Sequence, residues 1–112
     1  LHYNQLFLPF EHGNLGKIIE ESSEKCIILM FTAKWLGSGY LLERYLRQEG
    51  SAYPELKYYK VDVDDNQALV EKMNIKLIPT IYVFVNGEIV AYLEGLVSRG
   101  KVKAMFEQAM DV

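Results

Sequence analysis

The sequence predicts an α/β fold, a three-layer sandwich in which a mixed central sheet is flanked by helices, in the order β-α-β-α-β-α-β-β-α. Three observations carry this. Strand-like and helix-like stretches alternate along the 112 residues. The run Cys26-Ile27-Ile28-Leu29-Met30-Phe31 shows no polar alternation, as expected of a strand covered on both faces. Asn86-Gly87 separates two short apolar stretches, and both residues accept positive φ at low cost, so a hairpin closes one end of the sheet. Strands joined through helices run parallel by right-handed crossovers, and the hairpin adds antiparallel strands, hence a mixed sheet.

The elements follow in order. Residues 6–10 form a short apolar run that predicts a first strand, ended by His12 and Gly13. Leu15, Ile18, Ile19 and Ser22 repeat at i, i+3, i+4 and predict a short helix. Residues 26–31 predict the central strand. In residues 40–49 the pairs Leu41/Tyr45 and Leu42/Leu46 predict a second helix, with Gly50 as its stop. Residues 56–62 predict a strand, and Asp64 followed by Gln67 resembles a capping box opening a helix through Met73. Residues 80–85 and 88–93 are the hairpin strands. Val102, Met105, Phe106, Ala109 and Met110 then fit an amphipathic helix packed on the sheet.

Composition narrows the function classes. Half the residues are apolar, 24% are charged, and one Trp, eight Tyr and five Phe supply core volume, which predicts one globular domain over residues 1–112. The longest apolar run, 26–31, is far short of the roughly 20 residues of a membrane span, so a soluble chain with no membrane partner is expected. The opening residues lack the charged start and apolar centre of a signal peptide, and any leader is expected to have been removed. A net charge of −3 with no basic run argues against nucleic acid. The single Cys26 excludes an intrachain disulfide, a Cys-x-x-Cys pair and every cysteine-rich zinc site. His2, His12 and Cys26 lack metal-ligand spacing, so neither metal nor cofactor is expected.

From Phe10 to Met110 the residues resemble the thioredoxin family. The resemblance is carried by Phe31-Thr32-Ala33-Lys34-Trp35, Val61-Asp62-Val63-Asp64, Ile78-Pro79-Thr80, Asn86-Gly87-Glu88 and the stretch Gly95-Leu96-Val97-Ser98-Arg99-Gly100, in the family's order and spacing. The family's chemistry lies in Trp-Cys-Gly-Pro-Cys, which here reads Trp35-Leu36-Gly37-Ser38-Gly39. Thiol–disulfide exchange needs a thiolate to attack and a second thiol to resolve the mixed disulfide, so disulfide oxidoreductase activity is not expected. The family's buried acid falls at Met30, and Lys60, which faces that acid in the family, is expected to be a solvated residue.

The resemblance also implies a recognition groove. Its positions here are Trp35, Leu36, Gly37 and Ser38, then Ile78 with a cis peptide to Pro79, then Gly95 and Leu96. An extended chain would lie across it, hydrogen-bonded to the backbone before the proline as an added strand. Against this stands the reading that Pro79 and Gly95 serve backbone geometry alone and that Trp35 packs on its helix. Cys26 begins the central strand, roughly 20 Å from Thr32 at its far end, and is expected to be an inert core residue. Ser38 is expected to cap the second helix, since no His is placed to act as its base. Asp62, Asp64 and Asp65 are expected to cap and favour a helix start rather than hold a cation. Tyr53, Tyr58 and Tyr59 around Pro54 predict an aromatic cluster.

The leading expectation is a redox-inactive module, chaperone-like or otherwise, that binds a protein or peptide through the groove. The alternatives are a residual thiol-dependent oxidoreductase acting through Cys26 with a partner's cysteine, and a structural or assembly subunit that uses its helices. A monomer or weak dimer is expected. One unpaired cysteine slightly favours a reducing compartment such as the cytoplasm.

Overall fold

All seven residues of the strand Cys26–Thr32 are buried, and they alternate between two cores. Cys26, Ile28 and Met30 point to one, and Ile27, Leu29 and Phe31 to the other. The computed structural model describes residues 7–10, 15–53 and 55–110. Its elements are β1 (Phe7–Pro9), α1 (Leu15–Glu21), β2 (Cys26–Thr32), α2 (Gly37–Gly50), β3 (Leu56–Asp62), α3 (Gln67–Lys72), β4 (Thr80–Val85), β5 (Glu88–Glu94) and α4 (Arg99–Met110). The sheet order is β1-β3-β2-β4-β5. β1, β3 and β2 run parallel, whereas β4 and β5 are antiparallel to their neighbours. Residues of α2 and α4, among them Leu42, Leu46, Met105 and Phe106, cover one face, and Ile18, Leu69 and Val70 of α1 and α3 the other. This is the mixed, helix-flanked sheet that the alternation of elements predicts. Among the described residues no helix is long and apolar enough to cross a membrane.

The departures from expectation are local. Leu6 lies outside the described residues, and Phe10 follows β1, its N–H donating to the Lys60 carbonyl at 3.2 Å. On α1 only Ile18 is buried, and Ile19 is 40% exposed. Ser22, just past α1, serves the hairpin instead. Its carbonyl accepts the Asn86 N–H and its hydroxyl oxygen the Gly87 N–H, both at 2.7 Å. Asp64 does not open a helix. Asp62 caps a 3-10 turn over Val63–Asp65 by accepting the Asp64 N–H at 2.9 Å, and α3 starts two residues beyond that turn, at Gln67. The three tyrosines divide, because strand alternation sends Tyr58 to the α2/α4 core, against which Tyr53 also packs, and Tyr59 to the α1/α3 core. Tyr53 lies on Phe106 of that first core, ring centroids 5.5 Å apart, and Pro54 lies outside the described residues.

Gly50 is the last residue of α2 rather than a stop beyond it, and close approach explains it. A Cβ there would lie 1.8 Å from the Tyr58 hydroxyl and 3.3 Å from Phe106 Cζ. Gly50→Ala should therefore destabilise by about 1–3 kcal/mol despite the better helix propensity of alanine. In a Tyr58→Phe background the same change should cost much less, and thermal melts of the four proteins of this cycle check it.

Candidate functional site

Antiparallel pairing sets the site. Phe31 pairs with Thr80 and Thr80 with Glu94, so the turn after β2, the segment before β4 and the loop after β5 emerge at one end of the sheet. These segments carry Trp35 to Ser38, Ile78 with Pro79, and Gly95 with Leu96. The positions implied by the resemblance thus come to one end of the molecule.

The first of these segments is a tight turn. The Leu36 N–H donates to the Ala33 carbonyl and the Gly39 N–H to the Leu36 carbonyl, each at 3.1 Å. Trp35 does not pack on its helix. It is 67% exposed, with its indole N–H donating to Asp64 Oδ2 at 2.8 Å. The N-cap of α2 is Leu36, in extended conformation and making no side-chain cap, so Ser38 sits inside the first turn rather than capping it. Gly37, Ser38 and Gly39 give that turn weak propensity, with each glycine costing roughly 1 kcal/mol against alanine.

The second segment is Leu77, Ile78 and Pro79, with a cis bond between Ile78 and Pro79. Thr80 donates its hydroxyl to the Leu77 carbonyl, and the Gly95 N–H donates to the Pro79 carbonyl at 2.6 Å. Gly95 has φ +78°, and a Cβ there would meet Leu77 Cδ2 at 3.3 Å, so glycine answers both conformation and contact. Among the described residues neither the N–H nor the C=O of Ile78 has a hydrogen-bond partner. Leu77 and Leu96 are 50% and 46% exposed. Leu77 is not among the residues the resemblance implies; its signal in the sequence is an apolar residue directly before Ile78-Pro79.

Beneath the turn of the first segment the second of the family's two thiol positions is closed. Gly39 is buried, and a Cβ there would lie 2.2 Å from Thr32 Oγ1. That hydroxyl is itself buried and without a hydrogen-bond partner among the described residues. Met30 pairs in register with Lys60, and both lie on the α2 side of the sheet. Lys60 is not merely solvated. Its ammonium lies 3.1 Å from Glu43 Oε2 of α2 and over the rings of Phe7 and Tyr40, at 5.8 and 5.9 Å from their centroids. An acid thus does face Lys60, from the helix one turn beyond Gly39 rather than from β2. The sequence hid it because position 43 reads as an ordinary helix position four residues before Arg47, and nothing in the pattern links it to Lys60 on another element.

Cys26 starts β2, where it pairs with Leu56, at the opposite end from Thr32. It is 8% exposed, and burial pushes its thiol up to about 11. Asp62 and Asp64 are joined by the turn hydrogen bond described above, and among the described residues no three His, Cys, Asp or Glu side chains gather to hold a metal. His2 and His12 lie outside the described residues.

The thioredoxin family profile, described as Thioredoxin, matches residues 8–108. Thioredoxin-1 of Caenorhabditis elegans is 32% identical over 90 residues, covering 80% of this chain and 78% of that protein. Thioredoxin-1 of Saccharomyces cerevisiae is 28% identical over 74 residues, covering 66% and 72%. Among solved structures, oxidised thioredoxin O2 of Arabidopsis thaliana superposes with a TM-score of 0.79 at 24% identity, covering 96% of this chain and 97% of the other. Thioredoxin of Trypanosoma brucei brucei gives a TM-score of 0.80 at 20% identity, covering 100% and 99%. The chain belongs to the thioredoxin family, as a member with one cysteine, which stands at the far end of β2 from Leu36 and Gly39.

Proposed function

We propose that this chain is a redox-inactive thioredoxin-fold module that binds an extended polypeptide segment in the groove between the Trp35-Leu36 turn and Ile78-Pro79. The observation that carries the reading is that the Ile78 backbone has no hydrogen-bond partner among the described residues, at the end of the sheet that also carries the exposed apolar side chains of Trp35, Leu77 and Leu96. An extended chain would satisfy the Ile78 N–H and C=O as an added strand and cover those side chains. Leu36 and Gly39 offer no thiolate, so nothing in the groove can attack a disulfide. Cys26 does not replace them, because its thiol is buried, stays protonated near neutral pH, and opens the opposite end of β2.

The test is a titration with reduced, carboxymethylated α-lactalbumin, an unfolded chain without free thiols, followed by backbone amide NMR. Shifts are expected at residues 35–38, 77–79 and 95–96. Insulin reduction in the presence of thioredoxin reductase is expected to equal the blank. Shifts confined to the outer faces of α1–α4 would move the contact surface to the helices, and turnover abolished by Cys26→Ser would restore the thiol reading.

A further inference from the structure

We propose that Tyr40 and Glu43 are positioning residues of the groove, holding the Ala33–Leu36 turn and the start of α2 in place through Lys60; the importance of that pose for binding rests on the groove reading above. The start of α2 needs external support. Its N-cap, Leu36, makes no side-chain cap, its first turn holds no acidic residue, and two of that turn's residues are glycines. Support arrives one turn later from two residues three apart, which therefore share a helix face. Glu43, 9% exposed, puts Oε2 3.1 Å from Lys60 Nζ, and the Tyr40 ring lies 5.9 Å from the same ammonium. Lys60 belongs to β3, so both contacts tie α2 to the sheet. Tyr40 also reaches back past the helix start, its hydroxyl donating to the Lys34 carbonyl at 2.8 Å. Lys34 lies inside the turn closed by the Leu36 N–H, next to Trp35. A rigid sheet residue is thereby connected through Tyr40 to the backbone that presents Trp35 and Leu36. The side chain of Lys60 is about one-third exposed while that of Glu43 is nearly buried, so the carboxylate is the less screened and more constrained partner of the pair.

The experiment uses Tyr40→Phe, which keeps the ring over Lys60 and removes only the hydroxyl, and Glu43→Gln, which keeps the size and removes the charge. Glu21→Gln is the comparison, since it breaks the ion pair with Lys57, which ties α1 to β3 away from the groove. Amide hydrogen exchange at Leu36 and Gly39 should quicken roughly threefold to tenfold in Tyr40→Phe and in Glu43→Gln, and not in Glu21→Gln. Affinity for reduced, carboxymethylated α-lactalbumin should fall by a similar factor in the first two variants alone. Variants that lower Tm as Glu21→Gln does, with exchange at Leu36 and Gly39 unchanged, would overturn the proposal. Should the unsubstituted protein not bind the α-lactalbumin probe, the groove reading fails, and the exchange at Leu36 and Gly39 still decides the positioning role by itself.

Discussion

Met105→Asp should leave no folded protein in a thermal melt, whereas Leu36→Asp should melt at or slightly above the temperature of the unsubstituted chain and lose its hold on an extended polypeptide. Met105 is 3% exposed, on the inner face of α4 against the β2-β4 core. Lys101 and Gln108 share the α4–β5 cleft that Met105 lines, but the side chain at 105 itself faces the core, and a carboxylate desolvated there costs about 4 kcal/mol or more, against a total stability of roughly 5–15 kcal/mol for a domain. Leu36 is half-buried and occupies the N-cap of α2, where its side chain caps nothing. Aspartate in that place can accept a first-turn N–H and sits at the positive end of the helix dipole, which stabilises by about 0.5–2 kcal/mol. The gain offsets the modest apolar packing that the Leu36 side chain supplies in the free protein. Binding changes in the opposite direction. Burying a leucine side chain against a bound chain is worth roughly 1.5–3 kcal/mol, so its removal should weaken affinity for reduced, carboxymethylated α-lactalbumin about tenfold to a hundredfold. A Leu36→Asp protein that binds this probe as tightly as the unsubstituted one would show that Leu36 does not touch the bound chain.

Periodicity made the buried elements legible. The unbroken apolar run of β2 and the i, i+3, i+4 spacing of α4 each record which faces meet a core, so their positions followed from the pattern alone. The pattern fails where a residue answers a neighbour distant in sequence. Gly50 reads as a helix stop, yet it is glycine because the Tyr58 hydroxyl lies against it. Ser22 fits the apolar stripe of α1 by spacing, yet its hydroxyl and carbonyl hold the Asn86-Gly87 turn. The start of α2 is invisible to periodicity because Gly37, Ser38 and Gly39 carry no apolar side chain to repeat, and the Tyr40–Lys34 bond that supports it crosses from helix to turn. For the site, Trp35, Ile78, Pro79 and Gly95 could be placed through the family's motifs. Glu43 could not, because its role is defined by Lys60 on another element.

Restoring the two thiols should fail for a steric reason as well as an electrostatic one. The double change Leu36→Cys with Gly39→Cys supplies an attacking and a resolving sulfur, but the new Cβ at position 39 must enter the space held by Thr32 Oγ1, 2.2 Å away. Thr32 is 5% exposed at the end of β2, fixed by its pairing with Asp62, and as a β-branched residue it has few rotamers in which to yield. Overpacking of this kind costs about 1–3 kcal/mol and would push the start of α2 off the sheet. Insulin reduction by the double variant should therefore be weak. Adding Thr32→Ala removes the obstructing oxygen, which also has no hydrogen-bond partner among the described residues to lose, and should raise the rate severalfold. A stability control separates this from chemistry: Gly39→Ala should destabilise the unsubstituted chain and stabilise the Thr32→Ala protein, where the helix gains roughly 0.5–1 kcal/mol from losing a glycine. Met30 still leaves no acid on β2, and Glu43 is committed to Lys60, so even the triple variant should remain slower than an ordinary thioredoxin. A double variant that reduces insulin at the rate of an ordinary thioredoxin would show that Thr32 gives way freely and that an acid on β2 is unnecessary. The failure expected here follows from the mutual fit of Thr32 and Gly39, in which each residue closes the space that the other's alternative would need.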